Sequence, residues 1–439
     1  LRKLSNRPLL ILPKLALGVD FGTSGVRIAV IDPAGKTLIE RGSSYPGPFE
    51  RPDLWQEAFV GLMRSIPLEL RQQMEALALA GTSGTLLLCR GDGRLLEGAL
   101  GQALPYHLAC EQQVSQARRL LGTSDHPASQ ASGSLARALQ LLEVSRRLAP
   151  SSPLLIRHQA DWLMGWLLGN WRWGEEGNNL RLGWDLVNQR WLGTLGSTPW
   201  ASSLPEIVAS GTVLGTVPPS VATTLGLSEH CRVVAGTTDA NAGVLAAAPS
   251  DDEGITVLGT TLVVKQTAPG PIQAKGVSCH RLNGRWLIGG ASNTGAGILM
   301  RYFDPGQVDE LSRQMDVKVS GKLRLRPLLS RGERFPLDDP HLEPILEPRP
   351  VSDAAFLQAL LEGITRIEQQ GWQRLRELGA PPIRRVITLG GGARNPRWRQ
   401  LRERMLGLPI INRPELSPAL GMARLAQARM ESSVLESAR

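Results

Sequence analysis

The sequence predicts an α/β chain of two domains, and three observations carry that prediction. Its 439 residues exceed one ordinary core and suit two cores of roughly 200 residues each. Short apolar runs end repeatedly in glycine–threonine turns, in the first half and again in the second. Between them lie stretches with apolar residues at three- and four-residue spacing, the period of amphipathic helices.

The first segment, 15–19 (LALGV), is an apolar strand that runs into DFGTSG and then into a second strand, 26–31 (VRIAVI). A turn at 32–36 (DPAGK) leads to a third strand from Thr37, giving an antiparallel meander. Helical sequence follows from Trp55 to about Ala80, interrupted at Pro67, and then a strand–turn–strand in ALALAGTSGTLLLC. From Cys110 to Trp173 the pattern is helical, with Leu135, Leu139 and Leu142 on one face. The run DWLMGWLLGNWRW predicts a buried helix and its exit, its aromatics suiting core packing or carbohydrate stacking. Residues 233–248 (VVAGTTDANAGVLAAA) read as strand, glycine turn and small-residue helix. The polar break PSDDEG sets the boundary between domains 1–249 and 250–439.

The second half opens like the first, with ITVLGTTLVVK as strand, turn, strand. Asn283-Gly284 predicts a hairpin turn, and GGASNTGAGIL leads into a helix. Residues 325–350, rich in proline and charge, predict a surface loop. Ser352 caps a helix carrying Phe356, Leu360, Ile364 and Ile367 on one face and ending near Gly379. RRVITL is a strand and GGGARN a glycine turn. The helix 396–406 is capped by Asn395 and stopped at Gly407; 408–411 is a strand, and Ser417-Pro418 starts the last helix. The shared opening of the two halves is what a duplicated α/β fold leaves behind.

Composition narrows the class. No run of about 18 apolar residues is present, so no membrane span is expected. The start, LRKLSNRPLLILPK, lacks a small-residue cleavage site and reads as a loose leader or a mis-assigned start. Cys89, Cys110, Cys231 and Cys279 lie far apart without a CxxC pair, which suits reduced thiols in a cytoplasmic protein. The net charge of +9 is spread as single arginines rather than a basic stripe, favouring an enzyme with anionic ligands over a nucleic-acid binder.

Glycine turns with Thr or Ser let backbone N–H groups and hydroxyls approach phosphate oxygens closely. Four such turns follow strands: Gly22-Thr23-Ser24, Gly81-Thr82-Ser83, Gly236-Thr237-Thr238 and Gly259-Thr260-Thr261. Gly35-Lys36-Thr37 resembles the end of a P-loop but lacks its leading glycine, since that position is Val30. No GxGxxG follows the first strand, so a nicotinamide site is not expected. Asp20 and Asp239 end apolar strands, as turn or cap residues or as a facing carboxylate pair for phosphoryl transfer. In the second reading the helix dipole keeps Asp239 ionised, and Asp20 suits a hydrated Mg²⁺ or a sugar hydroxyl.

DFGTSGVRIAVID resembles the first phosphate motif of the actin, Hsp70 and hexokinase superfamily, VLGTTLVV its second and ITLGGGARN its adenosine motif. HQADWLMGWLLG with GNNLRLGWDL, AGTTDANAG, GERFPLDDP and LGLPI…SPALGMARLA make the chain similar to the FGGY carbohydrate kinases. Among these it looks most like the ribulose/xylulose kinase-like proteins of cyanobacteria and plants. The likeness runs in order from about Leu15 to Ala426.

The resemblance implies two ribonuclease H-like (actin-like ATPase) domains facing across a central cleft, with ATP and Mg²⁺ as cofactors. It implies Asp239 as catalytic base, and Asp20, Thr23, Ser83 and Asp239 around the substrate, with Asp20 toward the metal. Gly22, Thr23, Ser24, Gly259, Thr260 and Thr261 would meet phosphates, and Gly391, Gly392 and Asn395 the adenosine. The expected partners are a small sugar and ATP, without nucleic acid or membrane, in a monomer or homodimer. D-ribulose or D-xylulose leads as acceptor. Glycerol or another polyol is the alternative, as is a pseudokinase-like nucleotide-binding protein with weak ATPase activity. One segment departs from many relatives: where they carry an aromatic–x–Asp–x–Arg run, this chain has Pro105-Tyr106-His107-Leu108-Ala109-Cys110. His107 there is either a hydroxyl partner or a helix-start residue. Asn178 and Asn179 either contact sugar or cap a turn.

Overall fold

The computed structural model describes residues 14–147 and 154–436. The N-terminal leader reading concerns residues that, up to 13, lie outside this range. The chain divides into two compact units, Leu1–Ala246 with Pro418–Arg439, and Ala247–Ser417. The terminal helix, expected in a domain 250–439, packs on the first unit's sheet.

That sheet has six strands in the order Val213–Thr216, Arg232–Thr238, Met74–Gly81, Leu15–Phe21, Gly25–Ile31, Thr37–Ser44. Leu15–Phe21 pairs antiparallel with Gly25–Ile31, which pairs antiparallel with Thr37–Ser44, so the expected meander is present. On its other side Leu15–Phe21 runs parallel to Met74–Gly81, and that strand parallel to Arg232–Thr238.

Side chains alternate across the sheet. Leu15, Leu17, Val19 and Phe21 join a core with Trp55, Phe59 and Trp162. On the opposite face Gly18 leaves room for the helix Pro418–Glu436: a Cβ there would lie 1.9 Å from the Ala419 carbonyl oxygen. Gly421 of that helix likewise meets Ala242 of the helix Asp239–Ala247, its absent Cβ falling 1.9 Å from the Ala242 oxygen. Glycines at these two contacts let backbones touch where any side chain would separate them.

One expectation changes here. The helix beginning near Trp55 spans Pro52–Arg64 and stops well short of Ala80, while the strand expected in ALALAG is the buried strand Met74–Gly81. The tryptophans of the helix Gln159–Leu168 are core residues: Trp162 stacks edge-on against Trp55, and Trp166 against Phe59. Packing, not an exposed stacking platform, accounts for them.

The second unit repeats the construction, with strand order Val277–Leu282, Arg285–Ala291, Leu262–Ala268, Glu253–Leu258, Arg385–Leu389, Ile410–Asn412. Its opening strand, Glu253–Leu258, again stands between an antiparallel partner, Leu262–Ala268, and a parallel one, Arg385–Leu389. Asn283 and Gly284, with φ of 48° and 80°, make the expected tight hairpin. The helix Asp353–Glu377 starts at Ser352, whose hydroxyl accepts from the Ala355 amide, and carries the core residues Phe356, Leu360 and Ile364. Beneath the sheet, Arg402 and Glu368 form a buried pair at 2.6 Å. Thr388 accepts from Arg402, and Thr256 donates to Glu368 at 2.5 Å. The pair therefore ties together the two parallel strands Glu253–Leu258 and Arg385–Leu389.

Candidate active site

In the first unit, the three parallel strands Leu15–Phe21, Met74–Gly81 and Arg232–Thr238 end at the same edge. This is where open α/β sheets bind ligands. Asp20 on the first and Thr237 on the third both stand level with Ala80 of the strand between them. Asp239 follows two residues on, as the first residue of its helix. Its placement depends on a bulge. Val234 pairs with Ala78 but Thr237 with Ala80, so Arg232–Thr238 carries one extra residue at Ala235-Gly236. A Cβ on Gly236 would lie 1.7 Å from the Leu79 carbonyl oxygen, so only glycine fits the bulge.

Asp20 is buried, with its Oδ2 3.4 Å from Arg27 Nη1 and its Oδ1 without a hydrogen-bond partner. Burial first, and then the charge of Asp239, push its carboxyl up to about 6, against the opposing pull of Arg27. The two carboxylates singled out from the sequence are thus electrostatic neighbours. Tyr45 joins them, donating to the Gly22 carbonyl at 2.8 Å; burial and then the Asp20 charge push its phenol up. Thr23 and Ser24 are exposed on the turn between the first two strands.

The turn after Met74–Gly81 is wired inward. The Tyr106 amide donates to Thr85 Oγ1 at 3.2 Å. The hydroxyls of Thr85 and Thr82 lie 2.6 Å apart, and Thr82 donates to Gln159 Oε1 at 2.8 Å. Because each hydroxyl has one proton, Thr85 donates to Thr82. Gln159 lies beside Tyr45, so this chain leads from the 105–110 segment to the Asp20 side of the site. Ser83 is half-buried on the same turn. His107 is exposed, edge-on to Tyr106 and outside any helix.

A buried polar cluster packs near Thr237, where a Cβ on Gly177 would lie 3.4 Å from the Thr237 hydroxyl. Asn179 donates to Asp161 Oδ2 at 3.0 Å and to the Glu175 carbonyl at 2.9 Å; Asn178 donates to Glu175 Oε2 at 3.0 Å. Both asparagines are therefore engaged within the protein. Burial holds the Glu175 carboxyl well above the usual range, partly countered by the Gly177 and Asn178 amides. Tyr45, Arg27, Gln159 and Glu175 were not singled out from the sequence. Tyr45, Gln159 and Glu175 lie apart from the glycine turns and only the fold brings them in, whereas Arg27 follows the first such turn within three residues.

In the second unit the predicted nucleotide residues form two adjoining turns. The Gly259 carbonyl accepts from the Ala296 amide at 2.9 Å, and the Thr260 carbonyl from the Gly297 amide at 3.1 Å. The neighbouring turn abuts them: a Cβ on Gly390 would lie 2.8 Å from the Leu258 oxygen, and one on Gly392 2.7 Å from Leu258 Cβ. Thr260 and Gly391 are exposed. The Asn395 side chain caps the helix Pro396–Leu406, accepting from the Arg397 and Trp398 amides and donating to Ser312 at 2.8 Å. Among the described residues no group of three or more His, Cys, Asp or Glu could hold a metal ion, and no helix is long and apolar enough to cross a membrane.

This is an α/β fold with paired carboxylates at one sheet edge and glycine turns at another. Residues 254–430 match the family model for the C-terminal domain of the FGGY carbohydrate kinases. The chain is 25% identical to the xylulose kinase of Escherichia coli K12, over 96% of this chain and 91% of that one. The xylulose kinase of Rhodospirillum rubrum shares its fold at a TM-score of 0.79, with 17% identity over 95% and 90% of the two chains. So does the glycerol kinase of Plasmodium falciparum, at 0.77 with 15% identity over 96% and 90%. Residues 254–430 thus carry the match to the FGGY carbohydrate kinases, and the chain over nearly its whole length is similar to xylulose kinases.

Proposed function

We propose that this kinase transfers the γ-phosphoryl group of ATP to a primary hydroxyl of a small ketose, D-xylulose first and D-ribulose second. One observation carries the reading: Asp20 and Asp239 end strands only one strand apart and interact through their charges. Phosphoryl transfer asks for positioning, charge neutralisation and a carboxylate to take the hydroxyl proton. Asp239 accepts that proton as the acceptor oxygen bonds to the γ-phosphorus; the bond to the β,γ-bridging oxygen breaks and ADP leaves. Asp20, Thr23 and Ser83 hold the acceptor and the γ-phosphate, with Gly22 and Ser24 supplying turn donors.

Gly259, Thr260 and Thr261 cradle the remaining phosphates, and Gly391, Gly392 and Asn395 hold adenosine. Because the Asn395 side chain is engaged in capping, it acts through the turn that it fixes. Mg²⁺ usually takes one or two carboxylates together with substrate phosphates. Asp20, with one carboxyl oxygen unpartnered, fits that requirement. When bound there, the ion neutralises phosphate charge. D-xylulose leads because relatives named xylulose kinases match 93–96% of the chain at 23–25% identity. The four cysteines are free thiols, three of them buried, which supports a reducing cytoplasm.

Mass spectrometry of D-xylulose, D-ribulose, a pentitol and glycerol after incubation with Mg²⁺ and ATP tests this reading. A phosphorylated ketose is expected. ADP release that no acceptor raises would instead mark a nucleotide-binding protein with weak ATPase activity.

A further inference from the structure

Arg137, on the helix Ser134–Arg147, is fully buried, and the four acceptors of its guanidinium are all backbone carbonyls. Its Nε donates to Gly84 at 3.0 Å, in the turn that carries Thr82, Ser83 and Thr85. One Nη donates to Tyr106 at 3.1 Å and to Leu108 at 2.7 Å. The other donates to Ser132 at 3.1 Å. Burial, followed by the charge of Arg181, pushes the group down to about 10. Taking a cation out of water is costly unless its hydrogen bonds are made, so the carbonyls must stay gathered around it.

The fit is reciprocal. Gly84 has φ of 104°, and a Cβ there would lie 2.8 Å from Arg137 Nη2, so the turn admits the guanidinium only because residue 84 is glycine. The Tyr106 residue whose carbonyl Arg137 holds also donates its amide to Thr85. From Thr85 the hydrogen bonds run through Thr82 to Gln159, beside Tyr45 and hence toward Asp20. One side chain thus fixes the spacing between the 105–108 segment and the turn that flanks Asp20.

We propose that Arg137 is a positioning residue for the acceptor, setting acceptor affinity and selectivity while leaving nucleotide affinity alone. This inference rests on the sugar-kinase reading above. A lysine keeps the charge but presents one ammonium instead of a planar fork, and so cannot span Gly84, Tyr106, Leu108 and Ser132 together.

The test is steady-state kinetics of Arg137→Lys with D-xylulose and with ATP varied separately, together with relative rates across pentuloses, pentitols and glycerol. The expected result is an acceptor KM raised ~10-fold or more, an ATP KM within about twofold of the parent, and a flattened acceptor preference. A role confined to stability would lower the melting temperature without moving the acceptor KM of the folded chain. If Arg137→Lys does not fold, Thr85→Val breaks the same assembly from its other end and should raise the acceptor KM in the same selective way. An unchanged acceptor KM in a folded Arg137→Lys, or in Thr85→Val where that replaces it, overturns the inference. Absence of acceptor-dependent turnover in the parent chain would overturn the kinase reading, and this inference with it.

Discussion

Asp239 acts on Asp20 across one intervening strand, raising a carboxyl that burial has already lifted. The sheet edge therefore holds two carboxylates in different surroundings: one sunk at a strand end, the other heading a helix. Groups so arranged are hard to ionise together, and such arrangements cluster at functional sites.

The first prediction concerns stability against pH. The Asp20 carboxyl is raised from 3.8 to about 6, so the folded state binds this proton more tightly than the unfolded chain. The stabilisation from that proton is complete below pH ~4 and is lost as pH rises through about 6. Asp20→Asn stays neutral and avoids the loss, which amounts to about 3 kcal/mol. Its melting temperature should exceed the parent's at pH 8 and approach it as pH falls to 4. A pH-independent difference would contradict the assignment, and the variant should lose kinase activity throughout.

The bulge makes a second prediction. Gly236→Ala drives a methyl group onto the Leu79 carbonyl, so strand or helix start must move. We expect about 1–3 kcal/mol of destabilisation and a kcat lower by ~100-fold. Gly243→Ala, in the same helix with no atom within 4 Å of the new Cβ, is the control. It should stabilise by about 0.5–1 kcal/mol with kcat unchanged. Equal kinetic effects of the two would separate the bulge from catalysis.

A third prediction concerns the nucleotide unit. Arg402→Met leaves Glu368 buried without its cation and should destabilise by about 3–5 kcal/mol. Adding Glu368→Leu should recover much of that loss in urea unfolding of the double variant. No recovery would mean that the pair acts separately rather than as one braced unit under the strands bearing Gly259 and Gly391.

Much of this was legible in the sequence because it is local. Glycine–threonine turns, the Asn283-Gly284 hairpin and the Ser352 and Asn395 caps each depend on a few adjacent residues. The strand in ALALAG is legible, but the end of the helix before it is not, because MEALALAG is rich in good helix formers and a strand buried on both faces shows no alternation to mark its start. The bulge at Gly236 was hidden for another reason: it exists only against Leu79, distant in sequence. The terminal helix had a clear pattern, but its partner did not; Gly18 and Gly421 reveal the contact only once the sheet is built. At the site, Asp20 and Asp239 stood out as strand-end carboxylates. Tyr45, Gln159 and Arg137 did not, since their roles arise from long-range hydrogen bonds to backbone and turn.

The most direct test compares the parent chain with Asp239→Asn, measuring ADP release with and without D-xylulose alongside ATP binding. The account predicts strong xylulose-dependent turnover in the parent. In the variant, transfer should fall by at least ~100-fold while ATP binding stays unchanged. Xylulose-dependent turnover in Asp239→Asn equal to the parent's would contradict it.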